Sequence, residues 1–142
     1  MFNPSRDQAR RFLVESWRKR RDGMPASAIE IMAGDIIALH PEYHGLLDDS
    51  MDSVSREWSP ADGGTNPFLH LSLHLAIEEQ LSIDQPPGLV AAFEQLLRRY
   101  GDRHQALHAV LDALAETLWR SQRDNAPLDG AAYLELLHRA CA

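Results

Sequence analysis

Apolar residues recur at three- and four-residue intervals along most of this sequence, and no stretch alternates apolar with polar as a half-buried strand does. That periodicity restricts the chain to helices, and its prolines, glycines and capping residues say where they stop. Asn3-Pro4 reads as a cap followed by proline at the first helical position, and Phe12, Leu13 and Trp17 carry one stripe over about residues 4–22, up to Gly23. Pro25 opens a second helix over about 26–39, striped by Ile29, Met32, Ala33, Ile36 and Ile37. Pro41 has no amide donor and clashes with the preceding turn, which predicts a break at His40 and a shorter helix over about 41–49.

Residues 50–66 read as a loop longer than most connections in compact domains. Asn66-Pro67 then repeats the cap signal and starts a helix over 67–83 that is apolar around most of its circumference, hence expected to be central. Helices over about 87–100, 102–123 and 129–140 follow, the last two capped by Asp102 and Asp129. The expectation is an all-α, single-domain helical bundle of about six helices, spanning 1–142, with a long loop before the central helix.

Composition narrows the classes that such a bundle can serve. At 142 residues, 44% hydrophobic and 25% charged, the chain is neither disordered nor collagen-like. No apolar run approaches the roughly 20 residues that span a bilayer, and the N-terminus is Arg-rich where a secretory signal would be apolar. A soluble cytoplasmic protein with no membrane partner is therefore expected. Cys141 is the single cysteine, so no internal disulfide and no cysteine metal cage can form, and any metal must use histidine and carboxylate.

The net charge of -7 is unevenly spread: residues 1–22 hold seven basic residues against three acids, and the remainder seven against eighteen. An acidic body argues against wrapping nucleic acid, although Arg18-Lys19-Arg20-Arg21 can meet a phosphate or an acidic partner. The plainer reading of that run is a set of cations in a last helical turn, offsetting the negative end of the helix dipole. Trp17 and Trp119 lie on helical faces and read as packing anchors. Trp58, in the long polar loop beside Arg56 and Glu57, reads either as an exposed contact for a partner or as a ring folded back over the core.

Histidine placement is the most informative chemical feature. Six of the seven histidines fall in i,i+4 pairs, His40/His44, His70/His74 and His104/His108, which puts both rings of each intact helical pair on one face. At about 100° per residue, His70 and His74 flank the apolar stripe of their helix, and Glu78 continues the seam one turn further. His104, His108 and Asp112 repeat that order. A buried carboxylate such as Glu78 needs a cation, an arginine or a protonated histidine within reach. Two helices that each offer His-x3-His-x3-carboxylate can enclose one or two metal ions, with oxygen ligands favouring iron, manganese or zinc, and with His40 and His44 as further candidates. A single such pair is more often a core-edge histidine bonded to a backbone carbonyl, so the weight lies in the repetition. His138, unpaired, takes that bland reading.

Several chemistries find no support. His104-Gln105-Ala106-Leu107-His108 has Gln where a zinc protease needs its general-base Glu. Phosphate-cradling glycine loops, a nucleophile elbow and a CxxC pair are all missing, so no nucleotide cofactor is expected. The order of His40 or His44, His74-x3-Glu78 and His104-x3-His108 resembles the ligand order of hemerythrin-like di-iron bundles, but the closing His-x4-Asp is absent, His138 being followed only by Arg139-Ala140-Cys141-Ala142.

Taken whole, the chain resembles a family of short bacterial proteins known as domain of unknown function 1841. Met1-Phe2-Asn3-Pro4-Ser5-Arg6, the stretch from His70 to Gln80, and His104 through His108 leading to Leu118-Trp119 carry the likeness. The resemblance implies a stand-alone cytoplasmic bacterial protein with an all-helical fold, and it assigns no activity. Two readings of function stand beside each other. One is a helical bundle with an internal His/carboxylate metal centre at His70, His74, Glu78, His104, His108 and Asp112; no residue stands out as catalytic. The other is a metal-free interaction module or homodimer that uses Arg18, Lys19, Arg20 and Arg21 with the 50–66 loop and Trp58. RNA contact through the same basic arm is the weakest reading, given the acidic balance.

Overall fold

The structure, a computed structural model, describes residues 4–48 and 66–141. Among the described residues all regular structure is helical: α1 (Pro4–Asp22), α2 (Ala28–Ala38), a 3-10 turn (Pro41–Tyr43), α3 (His44–Asp48), α4 (Pro67–Ile83), α5 (Leu89–Tyr100), α6 (Arg103–Asp124) and α7 (Gly130–Cys141). The expected Asn3 cap and nearly all of the 50–66 loop, Trp58 included, lie outside the described residues.

The caps explain most boundaries. Asn66 Oδ1 accepts from the Leu69 amide, Asp102 Oδ2 from Gln105 and Asp129 Oδ1 from Ala132, each satisfying an orphan donor of the first turn. The second helix starts later than Pro25 predicts. Ser27 and Glu30 form a reciprocal capping box there, the Ser27 hydroxyl accepting from the Glu30 amide and the Glu30 carboxylate from the Ser27 amide. Gly88, expected inside α5, instead precedes it at φ 100°, where a side chain would be strained. Its amide and that of Val90 donate to Asp84, whose carboxylate thereby serves the start of α5 from outside it.

The chain divides into two compact units, Met1–Leu75 and Ala76–Ala142, and the boundary falls within α4. In the first unit α1 packs on α2 and α3 around Leu13, Val14, Ala33, Ile36, Ile37 and Leu47, joined by Phe68 and Leu71. The helices approach closely at Gly34, where a Cβ atom would stand 3.2 Å from the Arg20 side chain. The basic run is engaged across this contact. Lys19 Nζ lies 2.7 Å from Glu30, Arg20 pairs with Asp35 and Arg21 with Asp48, while Arg18 bonds Glu15 one turn back. Trp17 does anchor packing, donating to Asp48 at 2.9 Å.

In the second unit α5, α6 and α7 pack against one another. Leu89, Ala92, Phe93 and Leu96 meet Ala106, Leu107, Val110 and Leu114, with Tyr133 and Leu137 closing the core. The fully buried Tyr133 donates its hydroxyl to Gln80 at 2.9 Å, and burial pushes its pKa up. Trp119 departs from expectation: it is 55% exposed, with the Arg123 guanidinium over its ring, so it is no core anchor. Its indole falls outside the Leu107, Leu111 and Leu114 stripe that α6 buries.

Replacing fully buried Leu96 by alanine should cost about 2–5 kcal/mol, read as a lower urea midpoint at unchanged slope. The Lys19 ammonium, aided by the Ser27 amide, holds the Glu30 carboxyl at about 2 against an ordinary 4.5. A depressed carboxyl contributes stability above its unfolded value and loses it as pH falls through the folded one. The melting difference between the wild type and Glu30→Gln should therefore be full above pH 4.5 and shrink toward pH 2; a difference constant with pH refutes the assignment.

Candidate metal centre

Pro41 builds the centre by subtraction. A continuing helix would have sent the amide of residue 41 to the carbonyl of Ile37, and proline has no such amide. The chain turns at His40 (φ -125°, ψ 66°) and the last carbonyls of α2 find other donors. The Leu39 amide bonds Ile36 and the His40 amide bonds Ile37. Two imidazoles complete the cap: His40 Nδ1 lies 2.8 Å from the Ile36 oxygen and His44 Nε2 lies 2.8 Å from the Ile37 oxygen. A carbonyl only accepts, so His40 carries its proton on Nδ1 and, when neutral, presents the Nε2 lone pair.

His40 is 2% exposed, and so is His74 from the first half of α4; His70, one turn before it, is half-buried. Their ring centroids stand 4.7 Å apart for His40 and His74, 5.1 Å for His40 and His70, and 4.8 Å for His70 and His74. Each of these three residues offers one ligand-capable atom, all within 4.8 Å of one another. The Nε2 atoms of His70 and His74 approach to 3.2 Å. Two neutral imidazoles at that distance share one proton between two lone pairs. A tetrahedral ion with nitrogen ligands at 2.0–2.1 Å would space those ligands about 3.3 Å apart, so this pair already has the spacing of a coordination edge.

Tyr43 stands beside them, stacked on His40 at 5.7 Å and edge-on to His70 at 5.9 Å. Burial pushes its phenol up, and the neighbouring Glu42 charge adds to that.

Of the residues marked by the sequence pattern, the structure gathers His40, His70 and His74 in the first unit. His44 turns the other way, its ring stacked on Trp17 at 4.3 Å. Glu78 has the arginine partner that its burial requires: Arg103 grips both carboxylate oxygens, at 2.9 and 3.1 Å. In the second unit His104 and His108 keep their helical pairing, rings 4.2 Å apart, and Asp112 is exposed. Asp112 lines a groove of about 470 Å³ with His108, Glu116, Tyr100 and the small side chains Ala109, Ala113 and Ala140. His138 is exposed on α7.

Sequence reasoning did not assign a role to Tyr43 or to the Ile36 carbonyl. Pro41 was the signal for the second, since a helix ended by proline leaves its last carbonyls to nearby side-chain donors.

A family model described as "Domain of unknown function (DUF1841)" matches residues 5–139, nearly the whole chain. No curated protein and no solved structure matches it. No described helix is long and apolar enough to cross a membrane.

Proposed function

The chain belongs to the family described as a domain of unknown function, DUF1841, and from the geometry of its first unit we propose that it is a helical protein that holds a transition-metal ion through His40, His70 and His74. One observation carries the reading: three ligand-capable atoms lie within 4.8 Å of one another, on rings of which two are almost wholly buried. Imidazoles crowded this closely can offer their nitrogens to one shared cation. The Ile36 carbonyl supplies what metal-bound histidines commonly have, an acceptor on the far ring nitrogen that fixes tautomer and ring plane.

Elemental analysis of tag-free protein tests this directly. The wild type should carry about one equivalent of a transition metal, either as purified or after refolding with zinc, iron or manganese. His74→Ala and His40→Ala should lose it, whereas His44→Ala, whose ring is engaged by Trp17 and Ile37, should retain it. The same assay on His108→Ala reports whether the second pair supplies a ligand. A wild type that holds less than about a tenth of an equivalent under all these conditions ends the reading, and the chain then stands as a metal-free interaction module.

A further inference from the structure

We infer that the groove of the second unit is a binding site for a linear aliphatic diamine, its two ammonium groups taken by Asp112 and Glu116. The groove holds about 470 Å³, within the roughly 300–1,000 Å³ of small-molecule sites, and is lined by α6 and α7 with Tyr100 from the end of α5. Alanines open it. Ala109 and Ala113 stand one turn apart on α6 and Ala140 lies on α7, so at these positions neither helix sends out a side chain long enough to fill the space. His40, His70 and His74 do not belong to this lining, so failure of either this site or the metal reading leaves the other standing.

The lining joins two chemistries. Its floor is apolar, from the alanines and Leu136, and Tyr100, 40% exposed, adds an aromatic face that suits a methylene chain or an ammonium group. Its charge is negative: among the described residues that line it, Asp112 and Glu116 are carboxylates and none is lysine or arginine. The second unit as a whole carries ten acidic residues against six basic, which draws cations toward it. Basic side chains on the flanking turns are engaged. Arg120 bonds Glu116 at 2.9 Å with the two side chains 41% and 45% exposed, the kind of pair that contributes little and yields to a better placed cation. Arg139 bonds Glu135, and Asp112 makes no ion pair among the described residues.

Carboxylates alone would accept any cation; their spacing and the floor together narrow the class. Asp112 and Glu116 are four residues apart on one face of α6, which sets them about 6 Å apart along the helix axis. With bonds of about 1.5 Å, an extended four-carbon chain holds its terminal nitrogens about 6 Å apart as well. Like charges at this helical spacing repel, and a dication laid across both relieves the repulsion. A diamine also gains from its methylenes, which leave water for the alanine floor. A magnesium ion gains nothing from such a floor and gives up its water reluctantly.

Isothermal titration of the full-length protein with 1,4-diaminobutane at low salt reads the site. The expected result is saturable binding of about one diamine per chain. n-Butylamine, with one charge, should bind at least about fivefold more weakly, 1,4-butanediol should not bind, and about a tenfold excess of Mg(II) should leave the diamine affinity within about twofold. Asp112→Asn, at an exposed position, should weaken diamine binding at least about fivefold. Ala109→Leu, which fills the floor and keeps both carboxylates, should weaken it at least as much, whereas Glu135→Gln, an exposed carboxylate outside the groove, should leave it unchanged. Absence of saturable binding, equal binding of n-butylamine, displacement by Mg(II) or full affinity in Ala109→Leu overturns the diamine site. N-acetyl-lysine amide bound as tightly as the diamine also overturns it, in favour of a lysine from a protein partner. Circular dichroism melts accompany the variants; if Ala109→Leu is unfolded, Ala140→Leu fills the same groove from α7, with the same loss expected.

Discussion

One missing hydrogen atom organises the first unit. Proline at position 41 cannot donate to the helix that precedes it, and the carbonyls of Ile36 and Ile37 are instead served by the imidazoles of His40 and His44. Those two bonds send the rings in different directions. His40 is locked into one tautomer against the rings of His70 and His74, and His44 is laid on Trp17, which in turn reaches Asp48 at the end of α3. A helix that continued through residue 41 would have kept the two histidines on one face, as α4 keeps its own pair.

That contrast shows what the pattern of residues carries and what it does not. Helical periodicity and capping residues place α1, α4, α6 and α7 closely, because those signals act within a turn of where they are written. The start of α2 is legible too, in Ser27-Ala28-Ile29-Glu30, but Pro25 is the louder signal and points two residues too early. The partners of the basic run are not legible. Lys19, Arg20 and Arg21 find their acids 11, 15 and 27 residues away, and only the packing of α1 against its neighbours decides which acid each one meets. The run is therefore more than a set of charges on a helix end; it fastens α1 to α2 and to α3.

The histidine pattern is legible in kind and misleading in composition. The i,i+4 pattern correctly marks His74 as inward-facing, with His70 half-buried one turn before it, and Pro41 correctly marks the break after α2. Extending each pair to a carboxylate one turn on treats a helix face as uniform along its length. Real faces change neighbours: Glu78 meets Arg103, and Asp112 meets solvent. The requirement that Glu78 have a cation is sound physics, and an arginine meets it. What the first unit brings together is His40, His70 and His74, three imidazoles within reach of one another.

The His40 ring has two duties that share one free energy. Its Nδ1 proton closes the end of α2, and its ring stands 4.7 Å from that of His74, a neighbouring imidazole. An ion held by Nε2, as proposed, would make the opposite nitrogen a more polarised donor and so tighten the bond to Ile36. Were an ion held there as proposed, fraying of the last turn of α2 and release of that ion would be the same event seen from two sides. By linkage, whatever stiffens that turn would then raise affinity, and the amide protons of Leu39 and His40, which exchange with water as the turn opens, would report occupancy from atoms that do not themselves touch the ion.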